Sequence, residues 1–194
     1  MLINNAAIVH GKSLLSLSAA EIEKGFRVNL LSHFHLLQAF LPSMLSNVEG
    51  GTVVTISSVL GQLGASQLSD YTAAKAGLIA MHASLRAELS AMARSSDAPP
   101  GVRNVKTILV KPGQLSTKLF EGVKTPSSFF GPVVTPEVLA AMIVNRVVCG
   151  ETCVIALPLY ASLIEWFAVL PYGMQEILRR VTGLDRAMEG FRRP

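Results

Sequence analysis

The chain has 194 residues, enough for one domain with a sizeable core, and a formal charge of +4 at pH 7. Half of the residues are hydrophobic and the mean hydropathy is +0.44, so much of the chain is buried or contacts lipid. The modest charge, the absence of a long basic run and the 6% content of aromatic residues argue against nucleic-acid binding.

The first half of the chain predicts a strand, a helix and a strand. Met1-Leu2-Ile3 resembles the end of a buried strand, and Asn4 and Asn5 interrupt it, so we expect no secretory signal and an intracellular protein. Residues 19–46 predict a long helix, which Pro42 is expected to kink or end. Gly50-Gly51 then turns the chain into a buried, β-branched strand over 52–57.

The second half continues this alternation. We predict, in order, a loop over 59–70, a helix over 71–93, a strand over 104–110, a loop over 114–134, a helix over 136–148 and a strand over 153–157. Alternating strands and helices imply parallel crossovers, so the fold class is α/β with a doubly wound parallel sheet. We place this sheet domain in residues 1–157 and a helical tail in residues 158–194.

The tail has an unusual composition. Ile155–Leu170 is almost wholly apolar, but its 16 residues fall short of the ~20 that a spanning helix needs. Five arginines and three acidic residues follow Pro171. Two interpretations stay open: a helix that covers the functional site, or a segment that lies in a membrane interface with its arginines near the headgroups.

The pair Tyr71 and Lys75 lies at the start of a predicted helix, and its spacing of four puts both side chains on one face. Free tyrosine has a pKa of about 10, and a neighbouring ammonium favours the phenolate and lowers that pKa. Because acid/base catalysis works best when the pKa is near the operating pH, the pair predicts a general acid/base site.

Ser58 lies 13 residues before Tyr71, at the end of the strand predicted over 52–57. Ligands of parallel α/β sheets bind beyond the carboxyl ends of the strands. Asn4-Asn5-Ala6 and Pro112-Gly113 follow two other predicted strands. Three strand ends therefore carry small or polar residues along one edge, where Ser58 and Tyr71 can converge on one substrate oxygen.

Four motifs, in this order, resemble those of the short-chain dehydrogenase/reductase family over roughly residues 1–150. They are Asn4-Asn5-Ala6-Ala7, where Ala7 replaces a glycine, Val28-Asn29, Ser57-Ser58 through Tyr71-x-x-x-Lys75, and Pro112-Gly113 with Thr117. The resemblance implies a Rossmann-like fold and an NADP- or NAD-dependent enzyme that interconverts an alcohol and its carbonyl.

The resemblance also implies roles for individual residues. Tyr71 would be the general acid/base and Ser58 would orient the substrate oxygen. Lys75 would lower the pKa of Tyr71 and, with Tyr71, contact the nicotinamide ribose. Asn29 would hold a water in line with Lys75. The remaining cofactor contacts would come from Asn5 and Ala6 near the adenosine ribose and from Leu115 and Thr117 at the nicotinamide.

Substrate and partners are expected from the same resemblance. The tail segments Pro158-Leu-Tyr160 and Pro171-Tyr172-Gly173 look like those of members that act on retinoids, steroids and other lipids. We therefore expect a hydrophobic substrate and a location in the cytoplasm or on the endoplasmic reticulum or lipid-droplet surface. Family members pair the helices matching 19–46 and 71–93, which implies a homodimer. No metal site is expected, since Cys149 and Cys153 do not form a Cys-x-x-Cys motif.

One family feature is missing from the sequence, the Gly-x-x-x-Gly-x-Gly turn that receives the cofactor diphosphate. Relative to the family strand order 3-2-1-4-5-6-7, the chain begins at the fourth strand. We therefore expect a partial sheet without the first three strands, with an unpaired edge. Two hypotheses stay open: an NAD(P)-dependent oxidoreductase or its C-terminal portion, and a truncated, catalytically silent remnant that acts as a dimerisation or membrane-associated module. We expect this chain alone neither to fold stably nor to bind dinucleotide.

Overall fold

The computed structural model describes residues 1–120, 132–158, 160–167 and 169–182. Within these residues four parallel strands form one sheet in the order β1-β2-β3-β4. The strands are β1 (Leu2–Asn4), β2 (Gly51–Ile56), β3 (Val105–Pro112) and β4 (Cys153–Leu157). The α-helices are α1 (Ala19–Phe26), α2 (Ser32–Ser46), α3 (Ser69–Met92), α4 (Pro136–Val148), α5 (Tyr160–Phe167) and α6 (Tyr172–Thr182).

Each predicted strand and helix of the sheet domain is present, with small shifts at the ends. The helix predicted over 19–46 consists of α1, a π-helical segment (Arg27–Leu31) and α2. Pro42 does not end this helix, because α2 continues to Ser46. The loop predicted over 59–70 includes a short 3-10 turn (Val59–Gly61), and the one predicted over 114–134 includes another (Lys118–Phe120). Residues 121–131 of that loop and residues 183–194 of the predicted tail lie outside the described residues.

Local sequence signals set the helix boundaries and one tight turn. Ser18 accepts a hydrogen bond from the Glu21 backbone and the Glu21 side chain accepts one from Ser18, which is a complete capping box for α1. Thr135 caps α4 directly before Pro136, where proline needs no hydrogen-bond partner. Gly50 adopts a φ of +68° before β2, and a Cβ there would lie 2.4 Å from the Asn104 backbone, so the turn requires glycine.

The sheet is covered on both faces, as predicted for a doubly wound fold. Because side chains alternate along a strand, Val53 and Val105 face one side and Val54 and Ile108 face the other. Helices α2 and α3 complete the first apolar cluster, and α4 completes the second with Leu139 and Ile143. Helices α2, α3 and α4 each lie between two consecutive strands of the chain, which are parallel neighbours in the sheet.

Strand β1 lies at the edge of the sheet. It pairs with β2 through Leu2, Ile3 and Asn4, and no described strand pairs with its other side. The exposed side chain of Ile3 fits the edge position predicted from the sequence. Among the described residues, no helix combines the length and the apolar character required to cross a membrane.

Candidate active site

Helix α3 is fixed to the carboxyl end of β2 by buried hydrogen bonds. The Lys75 Nζ atom donates to the Ile56 carbonyl at 2.8 Å, and the Ser57 hydroxyl donates to the Lys75 carbonyl at 2.8 Å. Ser58 follows at the strand end, and its side chain is 3.5 Å from the Pro112 carbonyl at the end of β3. These contacts bring Ser58, Tyr71 and Lys75 together in an interior site, as their spacing predicts.

Burial sets the electrostatics of this group, since Tyr71 and Lys75 are only 4% and 1% exposed. Burial raises the pKa of the Tyr71 phenol above its usual value, and a hydrogen bond with the Ser58 side chain acts in the opposite direction. Burial lowers the pKa of Lys75 to about 8. The Lys75 Nζ atom lies 5.6 Å from the centre of the Tyr71 ring. The phenol therefore carries its proton at neutral pH. The lowering of the Tyr71 pKa that was predicted from Lys75 is not found, because burial of the phenol dominates.

Asn29 is fully buried in the π-helical segment and holds the loop that follows β1. The backbone N–H of Ile8 donates to Asn29 Oδ1 at 2.7 Å, and Asn29 Nδ2 donates to the Ile8 carbonyl at 2.9 Å. Both hydrogen bonds of the Asn29 side-chain amide are therefore made with the backbone of Ile8. Its suggested role in holding a water in line with Lys75 stays a prediction.

The four other predicted cofactor contacts, besides Tyr71 and Lys75, follow two strand ends on the edge that carries Ser58. Asn5 and Ala6 follow β1 and are exposed, while Leu115 and Thr117 follow β3 and are half-buried. Accessible polar groups at parallel strand ends fit the nicotinamide and ribose parts of a dinucleotide. The sequence contains no Gly-x-x-x-Gly-x-Gly turn, so the fit does not include the diphosphate of the cofactor.

An apolar wall surrounds the Tyr71 ring. Phe120 contacts it edge-on, with ring centres 5.7 Å apart and an angle of 85° between the planes. The other members of this wall are Val9, Leu60, Ala65, Leu68 and Leu119. The sequence did not reveal this wall, because its members come from three segments that meet only in the folded chain.

Two histidines near the site, His33 and His10, were not predicted as site residues from the sequence. His33 is fully buried one helical turn after Asn29, and burial together with the charge of Lys75 lowers its pKa to about 4. Its Nε2 atom is 3.5 Å from the Ala6 carbonyl. His10 contacts Asp70, the residue directly before Tyr71. The i, i+4 spacing between Asn29 and His33 could have indicated His33 from the sequence. No sequence pattern connects His10 with Asp70.

Comparison with known proteins places these residues in context. The family model of short chain dehydrogenases matches residues 1–127. Estradiol 17-beta-dehydrogenase 11 of Macaca fascicularis is 31% identical over 93% of this chain and 56% of its own length. Retinol dehydrogenase 10 of Homo sapiens is 29% identical over 98% of this chain and 54% of its own length. The chain spans about half the length of the curated relatives it matches.

A solved structure is similar in fold. The crystal structure of a short chain dehydrogenase from Burkholderia cenocepacia in complex with NADP aligns with a TM-score of 0.68 and 23% identity. The alignment covers 92% of this chain and 68% of that one. The doubly wound sheet described above is therefore shared by the two chains.

Proposed function

Since this chain belongs to the short-chain dehydrogenase family, we propose that it carries the proton-transfer site of an NAD(P)-dependent oxidoreductase. The reaction is the interconversion of a hydrophobic alcohol and its carbonyl. The observation that carries the proposal is the buried contact set of Ser58, Tyr71 and Lys75 at the carboxyl end of β2. Bound NAD(P) would supply or accept the hydride, and the residues of this chain would move the proton.

Tyr71 is the general acid in the reducing direction. Its raised pKa keeps the phenol protonated at neutral pH, so its O–H can donate to a carbonyl oxygen. The Ser58 hydroxyl, which already contacts Tyr71, hydrogen-bonds and orients the same oxygen. Lys75, whose pKa is about 8, is largely charged at pH 7 and stabilises the phenolate that remains. In alcohol oxidation that phenolate is the base.

The cofactor residues are proposed from the same edge of the sheet. Lys75 and Tyr71 would face the nicotinamide ribose, and Leu115 and Thr117 would contact the nicotinamide end. Asn5 and Ala6, which are exposed after β1, would lie near the adenosine ribose. Either NADP or NAD is compatible with these residues.

A lipid-, retinoid- or steroid-like substrate is supported by the apolar wall around Tyr71. Leu68 and Val9 are buried beside the ring, and Phe120 packs against it. A hydrophobic alcohol is stabilised by such surroundings, because its apolar body leaves water on binding. The similarity to an estradiol dehydrogenase and a retinol dehydrogenase supports the same substrate class.

A peripheral position on a lipid surface, such as the endoplasmic reticulum or a lipid droplet, is proposed for the tail. Helix α5 buries Ala161 and Ile164 against the segment after Ser58, while its Leu163 and Trp166 are exposed. Helix α6 exposes further apolar side chains, namely Tyr172, Met174, Ile177 and Val181. We call these exposed residues of α5 and α6 the apolar tail surface. An amphipathic pair of this kind suits the headgroup boundary, where apolar groups insert and arginines stay outside.

A homodimer through α2 and α3 is also proposed. The two helices enclose a groove of about 720 Å³ lined by apolar side chains, including Leu37, Leu41 and Met81, and by the small residues Gly77 and Ala80. Phe34, which also lines the groove, is partly exposed on this face. An exposed apolar face on two neighbouring helices can pack against the same face of a second copy, as a two-fold interface requires.

The dimer is tested by light scattering on Phe34→Glu. We expect the dimer to dissociate by at least about a hundredfold in equilibrium constant, because two charges would be buried against apolar side chains. Val144→Glu, at an exposed position of α4, is the matched control and should leave the mass unchanged. A dimer that persists in Phe34→Glu places the interface elsewhere.

The oxidoreductase proposal is tested with Tyr71→Phe. Reduction of retinaldehyde and of a steroid ketone is followed by the loss of NADPH or NADH absorbance, and we expect a loss of roughly a thousandfold in Tyr71→Phe. Tyr172→Phe, at an exposed position of α6, is the control and should keep full turnover. Equal turnover in wild type and Tyr71→Phe would show that Tyr71 is not the general acid/base.

The alternative is a catalytically silent module that acts only through the α2–α3 face and the apolar tail surface, and the exposed apolar side chains of both regions favour it. Calorimetry with NADPH and NADH separates the two functions. Micromolar binding favours the enzyme. No binding and no turnover, together with dimerisation or lipid binding, favours the silent module.

A further inference from the structure

We propose that His10 and Asp70 form a positioning pair that holds the first turn of α3, and with it the Tyr71 hydroxyl, in its place beside Ser58. The pair lies outside the group of residues that the family motifs identify. The inference rests on the proposed function, because it gives Tyr71 its importance.

The geometry of the pair is that of a short, shielded contact. His10 Nδ1 lies 2.6 Å from Asp70 Oδ2, and the side chains are 14% and 2% exposed. His10 belongs to the loop after β1, whereas Asp70 belongs to the first turn of α3, 60 residues later. The contact therefore joins the loop that carries Asn5 and Ala6 to the helix that carries Tyr71 and Lys75.

A contact at Asp70 constrains the direction of Tyr71. Consecutive residues of an α-helix point about 100° apart, so fixing one side chain against the body of the protein fixes the rotation of that turn. Tyr71 is the next residue, and Val9, the neighbour of His10, packs in the wall around the Tyr71 ring. The two loop residues thus contact α3 on both sides of the same turn.

The surroundings leave the pair little room. A Cβ at Gly25 of α1 would lie 3.1 Å from Asp70 Oδ2 and 3.4 Å from His10 Cε1, so α1 packs directly over the contact. The second carboxylate oxygen, Asp70 Oδ1, is buried and has no hydrogen-bond partner among the described residues. His10 is therefore the group that holds this carboxylate.

Helix stability does not account for the arrangement. An acidic residue in the first turn favours a helix through the helix dipole, but an exposed side chain achieves this. Burying the carboxylate costs desolvation, and a buried pair rarely returns more than this cost. A buried, singly partnered Asp70 directly before Tyr71 is better explained by placement of that turn than by stability.

The test measures how well Tyr71 is shielded, without cofactor or substrate. Tyrosine nitration by tetranitromethane is mapped by mass spectrometry on the full chain, with the 80% exposed Tyr172 as the internal reference. We expect the Tyr71/Tyr172 ratio to rise about tenfold in His10→Leu, because the first turn of α3 opens locally. His10→Asn keeps an N–H donor at the position of His10 Nδ1 and should restore the wild-type ratio.

Two further variants separate placement from loss of stability. The double variant His10→Leu/Asp70→Asn removes the buried charge, so it decides the question if His10→Leu does not fold, and its ratio should also rise. Leu139→Ala weakens the core under α4, on the other face of the sheet, and should leave the ratio unchanged.

The proposal is overturned if the double variant keeps the wild-type ratio, if Leu139→Ala raises the ratio equally, or if the double variant does not fold. The third outcome would make the pair a requirement for folding. Because nitration needs neither cofactor nor turnover, the outcome of this test is independent of the turnover assays that test the oxidoreductase function.

Discussion

The active-site edge of the sheet and the C-terminal helices depart from the usual distribution of polar and apolar groups in opposite directions. The site buries Asn29, His33 and Lys75 almost completely. The tail instead exposes Trp166 and Val181 by 72% and 79%. Buried polar groups cost free energy, and clustered apolar groups on a surface leave hydrophobic area in water.

The difference shows that two separate demands act on one small chain. At the site, Lys75 is held by the Ile56 carbonyl and Asn29 by the backbone of Ile8. In the tail, Ala161 and Ile164 of α5 are buried against the protein, whereas the side chains on the opposite face of the helix are exposed. Such departures are typical of functional regions, which agrees with the proton-transfer site and the lipid-facing tail that we propose.

The largest expected effect on stability comes from making the site apolar. Lys75→Met should raise the free energy of unfolding at pH 7 by about 2 kcal/mol. The variant no longer has to bury an ammonium whose pKa is lowered, and the loss of the hydrogen bond to the Ile56 carbonyl offsets part of this gain. In the folded state the pKa of Lys75 is about 8, against an ordinary 10.5. Between these values the unfolded chain binds more protons, so wild-type stability rises with pH.

The advantage of Lys75→Met should therefore be full below pH 8 and fade toward pH 10.5. Urea unfolding at several pH values measures it, and turnover should be lost in the same variant. Lys106→Met, on a half-buried lysine of β3, is the control. If Lys75→Met is less stable than wild type at pH 7, burial of the Lys75 ammonium does not lower the stability of the protein.

A smaller effect is expected from the buried histidines. The pKa values of His33 and His82 are both lowered to about 4 by burial, against an ordinary 6.5. Between pH 6.5 and 4 the unfolded chain binds more protons, so stability should fall as the pH falls through this window. His82→Leu should remove about 1 kcal/mol of this loss.

The matched control for His82→Leu is His35→Asn, because His35 is exposed on α2. Chemical denaturation at pH 7 and pH 4.5 gives the two stabilities of each variant. An unchanged loss of stability in His82→Leu would show that another group drives acid unfolding.

The contrast between the regions also shows what the sequence can predict. Ser58, Tyr71 and Lys75 lie within 18 residues, and strand and helix geometry fixes their relation, so they were predicted together. The alternation of strands and helices likewise predicted the sheet. Contacts between distant segments were not predictable, because neither partner carries a signal of the other. The pair of His10 with Asp70 and that of Asn29 with Ile8 are examples.

Pro42 shows a different limit. Proline is expected to break a helix, yet α2 continues for four residues beyond it. Packing of α2 against the sheet through Leu37 and Met44, on either side of the proline, outweighs the missing hydrogen bond. The periodicity therefore predicted the end of the helix at residue 46, whereas the local preference of Pro42 to end the helix was overridden.

The smallest effect on stability is expected in the tail, where Leu163→Ser and Ile177→Ser should each change the free energy of unfolding by less than about 0.5 kcal/mol, since both side chains are exposed. Binding to phosphatidylcholine vesicles with a minor fraction of phosphatidylserine should weaken about tenfold for each, through the lost apolar contact. Trp166, the one tryptophan of the chain, reports binding by a blue shift of its fluorescence.

Val144→Ser on α4 is the control and should bind like wild type. If the tail variants lose stability while their vesicle binding stays unchanged, the apolar tail surface packs within the protein, and the contrast with the site disappears.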